Sequence, residues 1–226
     1  MKHHKLALAA RGIGLLGALG LAIVVVLAGV AVVYGPAVME ALRFLDDIEQ
    51  QGTEIAALSE GEYLYQGCIY CHGQGGNAES SFYPRLAGQP QNYLRQALMD
   101  YRESRRDNAM MESLARNLSD DDLDTLVVYL SKQQANSENH GLVDVELVKH
   151  GKRLASQLAC LTCHSSDYTL KDDNPRLAGQ GREYIETQLR AFRDGDRRDT
   201  GGVMAGFATS LADSDIKKLA AYFSSL

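Results

Sequence analysis

Two pentapeptides decide how this chain is read: Cys68-Ile69-Tyr70-Cys71-His72 and Cys160-Leu161-Thr162-Cys163-His164. They hold all four cysteines of the 226-residue sequence, so no thiol is left for a structural disulfide or a catalytic nucleophile. Two thiols three residues apart on a helical turn reach the two vinyl groups of one haem, and the histidine that follows faces its iron. This is the c-type haem attachment spacing. Two other chemistries use paired cysteines. A zinc site built from both pairs brings them much closer in sequence, and a thioredoxin-like redox pair needs neither the histidine nor a duplicate. The expected cofactors are therefore two covalently bound haem c groups, attached outside the cytoplasmic membrane, where such thiols otherwise oxidise.

The flanking sequence repeats along with the motifs. Pro84-Arg85-Leu86-Ala87-Gly88-Gln89 returns as Pro175-Arg176-Leu177-Ala178-Gly179-Gln180, and the first cysteine pair returns 92 positions later. Tyr93 and Tyr184 each stand nine residues after their proline, and Leu118 to Tyr129 matches Leu211 to Tyr222. Two copies of one small domain are expected, at 59–135 and 142–226, with a polar linker at 136–141.

Each copy reads as helical. Tyr93, Leu94, Ala97, Leu98 and Tyr101 share a face at helical spacing, and so do Leu123, Leu126, Val127 and Leu130. Ile216, Leu219, Ala220 and Phe223 repeat the second stripe. Ser119 with Asp122 predicts a capping box opening the last helix of the first copy. No alternating strand pattern is evident, so the expected class is all-α. Domains of about 80 residues with few aromatic residues have thin cores, and a covalent haem supplies apolar mass to each.

The N-terminus adds a further expectation. Gly12 to Tyr34 carries no charge, and as a helix it would extend roughly 34 Å, enough to cross a bilayer core. Lys2, Lys5 and Arg11 precede it; Glu40, Asp46, Asp47 and Glu49 follow. Residues 1–34 are thus expected to be a cytoplasmic tip and single transmembrane anchor, with everything after Tyr34 outside. Gly12, Gly14, Gly17 and Gly20 would permit close helix packing there. Residues 35–58, with Val38, Ala41, Leu42, Leu45 and Ile48 on one face, are expected to form a juxtamembrane helical linker. A cleaved signal peptide is the alternative, but the apolar run exceeds the usual h-region.

An electron-transfer haem takes a second axial ligand, commonly methionine. The second copy holds a single methionine, Met204, in a glycine-rich segment. The first offers Met99, Met110 and Met111. Met204 precedes Leu211 by seven residues as Met111 precedes Leu118, so the repeat selects Met111. The axial metal ligands expected are His72 with Met111 and His164 with Met204. A ligand histidine also needs its other ring nitrogen held by an acceptor, and Pro84 and Pro175 stand where a backbone carbonyl serves. His140 and His150 have no partner pattern and read as surface residues.

With these residues assembled, residues 59–226 resemble the cytochrome c4 family of tandem two-haem class I cytochromes c. The resemblance rests on both Cys-x-x-Cys-His motifs, both Pro-Arg-Leu-Ala-Gly-Gln runs, Tyr93 and Tyr184, the late methionines and the closing Leu-Ser-Asp-Asp-Asp and Leu-Ala-Asp-Ser-Asp segments. It implies His/Met ligation at both haems and two domains related by a pseudo-twofold axis. It also implies that Pro84 and Pro175 accept from the ligand histidines and that Arg85 and Arg176 lie near haem propionates.

The function implied is an electron carrier, not an enzyme: a dihaem cytochrome tethered to the bacterial inner membrane with its haem domains in the periplasm. It would pass electrons from a bc-type quinol oxidoreductase or a dehydrogenase to a terminal oxidase or reductase, as a shuttle or as a wire within a larger respiratory complex. A peroxidase-like dihaem enzyme is the weaker reading, because no distal catalytic constellation is visible. Net charge of −6 argues against nucleic acid as a partner, and no small-molecule substrate is expected. The first copy carries 7 basic and 11 acidic residues and the second 12 of each, so the two domains are expected to favour different partner surfaces.

Overall fold

The computed structural model describes residues 3–136, 144–164, 174–199 and 201–226. Within the first helix, the side chains at 3–19, 21–23, 29–31 and 54–58 lie outside that description. Most of the expected linker, 137–141, lies outside it too, as does His140. The chain falls into two compact units, Met1–Ile55 and Ala56–Leu226.

Helix α1 runs from His3 to Tyr65 without interruption, with Pro36 inside it. In the first unit its described apolar side chains are exposed, among them Val38, Leu42, Leu45 and Ile48. The expected single-pass anchor is corrected here. Among the described residues no helix is long and apolar enough to cross a membrane. The uncharged run does not close as a helix of its own: α1 continues through Glu40, Arg43, Asp46, Asp47 and Glu49. Gly12, Gly14 and Gly17 of the small-residue stripe lie outside the described side chains.

Among its described residues, the regular elements of the second unit are α-helices and 3₁₀ turns. The end of α1 leads through a 3₁₀ turn, Gln66–Cys68, into the one-turn helix α2, Ile69–His72. Helices α3 (Gln91–Arg102), α4 (Ala109–Arg116) and α5 (Asp120–Lys132) complete the first domain. Helix α6 (Val145–Gln157), a 3₁₀ turn at Cys160–Thr162, α7 (Arg182–Asp194), α8 (Val203–Ala208) and α9 (Asp213–Ser224) form the second. In one, α3 packs on α4 and α5; in the other, α7 packs on α8 and α9, and α6 on α9.

The apolar stripes read from the sequence are the cores. Leu123, Leu126, Val127 and Leu130 are buried with Tyr65 and Leu94, and Ile216, Leu219, Ala220 and Phe223 are buried with Ile185 and Phe192. Ser119 caps α5 as expected: its Oγ accepts from the Asp122 N–H at 3.1 Å while Asp122 Oδ2 accepts from the Ser119 N–H at 3.1 Å. The Ser119 hydroxyl, donating to Asp122 Oδ2 at 2.6 Å, and then the Ser119 N–H hold the Asp122 carboxyl below the usual carboxylate range.

Each domain closes where its first helix crosses its last, and a glycine makes both crossings possible. A Cβ on Gly61 would overlap the Tyr129 side chain, and one on Gly151 would overlap the Lys218 carbonyl and the Tyr222 side chain. Each crossing sits just ahead of a cysteine motif, so it sets where that motif begins.

Candidate functional site

None of the four cysteines is paired in a disulfide. Burial, then the neighbouring Cys71, pushes the Cys68 thiol up; burial also raises Cys160. In the first domain Cys68 ends a 3₁₀ turn, and Cys71 and His72 sit on α2. In the second, Cys160 opens a 3₁₀ turn whose N-cap, Ala159, is left-handed at φ 53°.

The two histidines are held alike. His72 Nδ1 lies 3.0 Å from the Pro84 carbonyl and His164 Nδ1 lies 2.9 Å from the Pro175 carbonyl. Proline has no N–H and a fixed φ, so it offers this acceptor without a competing donor. The bond consumes Nδ1 and leaves Nε2 as the ring nitrogen for a metal. His72 is only 7% exposed. Burial lowers the basicity of both imidazoles, and the proline carbonyls oppose that only in part. Both rings thus favour the neutral form that metal ligation requires. Among the described residues, no group of three or more His, Cys, Asp or Glu side chains could hold a metal ion by itself.

The methionines differ in placement. Met110 is 67% exposed. Met111 is half-buried in the first turn of α4, and its N–H donates to the Asn108 side chain at 3.0 Å. Met204 is likewise half-buried in the first turn of α8, its N–H donating to Asp199 at 2.9 Å, and it packs against the second core. Met99 belongs to the first core. His150 is exposed, as expected of a surface residue.

The repeated Pro-Arg-Leu-Ala-Gly-Gln runs pair crosswise between the domains. Gln180 Oε1 accepts from the Arg85 N–H at 2.7 Å and its Nε2 donates to the Arg85 carbonyl at 3.0 Å. Gln89 returns the arrangement on Arg176, at 2.9 and 3.0 Å. The Arg85 guanidinium donates to the carbonyls of Ala78 at 3.2 Å, Gly179 at 2.7 Å and Asn136 at 3.4 Å. That of Arg176 donates to the carbonyls of Ala178 and Ala87. Gly88 and Gly179 turn the chain at φ 63° and 68°, a conformation glycine reaches without steric cost.

A second seam lies beside the first. Arg106 and Arg197 form an isolated antiparallel bridge. Arg106 donates to the Tyr184 hydroxyl at 2.8 Å and to Gln188 at 2.7 Å, and Arg197 donates to the same Gln188 oxygen at 2.7 Å. The Tyr93 hydroxyl is bonded to Tyr184 and Arg197. Each guanidinium stacks on an aromatic ring of its own domain, Arg106 on Tyr101 and Arg197 on Phe192. The Tyr184 N–H donates to the Ser81 carbonyl at 2.9 Å.

The sequence reading did not find Gln89, Gln180, Arg106 or Arg197. A signal existed, because Arg106 and Arg197 recur at the spacing that separates Pro84 from Pro175 and Tyr93 from Tyr184.

Comparison with known proteins bears on this geometry. The Cytochrome c family model matches residues 58–134 and 148–226, one match per domain. Cytochrome c4 of Pseudomonas aeruginosa is 32% identical, covering 70% of this chain and 83% of its own.

The chain belongs to the dihaem cytochrome c4 family.

The crystal structure of reduced recombinant cytochrome c4 from Pseudomonas stutzeri superposes with a TM-score of 0.67 at 31% identity, covering 74% of this chain and 96% of that one. A protein named thiosulfate dehydrogenase electron acceptor, from Thiomonas intermedia, is 34% identical over 68% of this chain and 75% of its own. As a cytochrome c4, the chain carries two covalently bound haem c groups and is an electron carrier, not an enzyme. The residues present suit that cofactor: free thiols at the right spacing, followed by a neutral, oriented imidazole.

Proposed function

We propose that this cytochrome c4 carries electrons in the periplasm between a dehydrogenase or a bc-type quinol oxidoreductase and a terminal oxidase or reductase. The observation that carries this reading is the crossed pairing of the two Pro-Arg-Leu-Ala-Gly-Gln runs. It fastens two haem-attachment sites into one body, so an electron taken up at one domain has a fixed path to the other. The relation to a thiosulfate dehydrogenase electron acceptor supports a dehydrogenase as donor.

The residue roles follow the geometry. Cys68 and Cys71 form the thioethers of the first haem, and Cys160 and Cys163 those of the second. His72 and His164 bind iron through Nε2 while Pro84 and Pro175 hold their other nitrogen. Met111 and Met204 would be the second protein ligands of the two irons; support comes from their matching placement on first helical turns and from the exposure of Met110. Arg85 and Arg176 serve the haem propionates, a role their position next to the histidine-holding prolines and their carboxylate-matching chemistry support. The domains are those of 59–135 and 142–226. When bound, each haem supplies a one-electron ferric/ferrous couple.

The test is direct. Oxidised holoprotein is mixed with catalytic thiosulfate dehydrogenase and thiosulfate, and haem reduction is followed by its visible bands. The reading expects full reduction at both haems, with no reduction when the dehydrogenase is omitted. Reduction by dithionite but never by any dehydrogenase or bc-type complex would contradict it.

A further inference from the structure

The first haem-attachment motif carries exposed aromatic side chains close to it. Tyr70, between the two cysteines, is 96% exposed. Phe82 and Tyr83, just ahead of the histidine-holding Pro84, are 69% and 42% exposed. Tyr83 sets its ring edge-on to His72 at 6.3 Å between centroids. Tyr70 within the motif and the Phe82-Tyr83 pair thus flank the same attachment site. The chain just ahead of Phe82 is held in place from the other domain, since the Ser81 carbonyl takes the Tyr184 N–H and Gly181 abuts the same residue.

At the matching positions of the second copy the sequence has Thr162, Asp173 and Asn174. Grouped exposed apolar side chains mark interaction sites, and Tyr is enriched at interface cores.

The charge around these residues says what kind of partner fits. From Ser59 to Pro84 there is no lysine or arginine, while Glu60, Glu62 and Glu79 are all exposed. The matching stretch of the second domain sets Lys152, Arg153 and Lys171 against Asp167, Asp172 and Asp173, so its charges balance. An acidic, lysine- and arginine-free stretch that also carries exposed aromatic residues complements a basic partner surface with an apolar contact centre.

We propose that Tyr70, Phe82 and Tyr83 are the docking surface for a redox protein with an apolar contact centre and a basic rim, so that electrons pass between proteins through the first domain. The proposal deepens the electron-carrier reading and rests on it. One electron passes between the two proteins, oxidising one and reducing the other, and no bond is made or broken.

The experiment uses the reduced full-length holoprotein with two oxidants: mitochondrial cytochrome c as a basic protein probe and hexacyanoferrate(III) as a small one. Tyr70→Ser and Phe82→Ser are compared with Phe207→Ser, which removes an exposed aromatic from α8 of the second domain. The patch variants are expected to slow the protein reaction by about tenfold each and the hexacyanoferrate reaction by less than about twofold. Phe207→Ser should leave both unchanged. Rising ionic strength should slow the wild-type protein reaction.

Unchanged protein rates in the patch variants overturn the proposal, as does a larger loss in Phe207→Ser, which would move docking to the second domain. Loss with both oxidants, or loss of the low-spin haem spectrum, in the patch variants assigns these residues to the haem site and overturns docking. Failure of the wild type to reduce either oxidant would instead overturn the electron-carrier reading itself.

Discussion

Gln180 grips Arg85 by the backbone with both ends of its amide, across the boundary between the two haem domains, while Gln89 does the same to Arg176. All four residues are buried. Truncating either glutamine leaves a buried N–H and a buried carbonyl without that partner, a loss worth about 1–3 kcal/mol. Gln89→Ala and Gln180→Ala are each expected to lower stability by that order in denaturant titrations. The double variant should show two unfolding transitions where the wild type shows one.

The helix crossings give a second prediction. Gly61→Ala and Gly151→Ala force apart surfaces that meet without a Cβ, at a cost of about 1–3 kcal/mol. Each variant should mature with less haem in its own domain, read by mass spectrometry of tryptic haem peptides.

The backbone at Ala159 gives a third, of opposite sign. A left-handed φ of 53° strains a residue with a Cβ. Glycine removes that strain, so Ala159→Gly is expected to stabilise the second domain by about 0.5–1 kcal/mol. A measured destabilisation would show that the turn is held by something other than its local geometry.

The tyrosine–arginine seam gives a pH dependence. Burial alone would raise the Tyr93 phenol, but the Arg197 and Arg106 guanidiniums outweigh it and bring it from the ordinary 10.0 down to about 8. Burial keeps Tyr184 protonated. Above pH 8 the folded protein gives up a proton that the unfolded chain keeps until about 10. The resulting stability is fully present above the unfolded value and is lost as pH falls through about 8. Tyrosinate difference absorption should show one early phenol, and Tyr93→Phe should abolish it.

How far the sequence spoke depended on how local each feature is. The stripes at Leu123–Leu130 and Ile216–Phe223, the Ser119 cap and the fit of each histidine to its proline carbonyl all lie within one element or one short loop, and periodicity and spacing display them. The crossed grip of Gln89 and Gln180 did not show. The repeat makes the two runs equivalent, but equivalence does not reveal whether Gln89 faces its own arginine or the other domain's. Tyr93 read as a stripe residue because of its helical spacing; only the fold brings Arg197 to its hydroxyl. The N-terminal expectation rested on a count of uncharged residues, and among the described residues no helix is long and apolar enough to cross a membrane.

The central claim is two His/Met haems in one body passing single electrons. The most direct measurement is a spectroelectrochemical titration of the holoprotein that follows the haem bands and the methionine-to-iron charge-transfer band together, with Met111→Ala, Met110→Ala and Met204→Ala run alongside. The account predicts two one-electron waves from two low-spin haems in the wild type. Met111→Ala and Met204→Ala should each remove part of the charge-transfer band and lower one potential, with Met110→Ala unchanged. A single wave, a high-spin haem in the wild type, or a charge-transfer band lost with Met110→Ala but kept in Met111→Ala would contradict it.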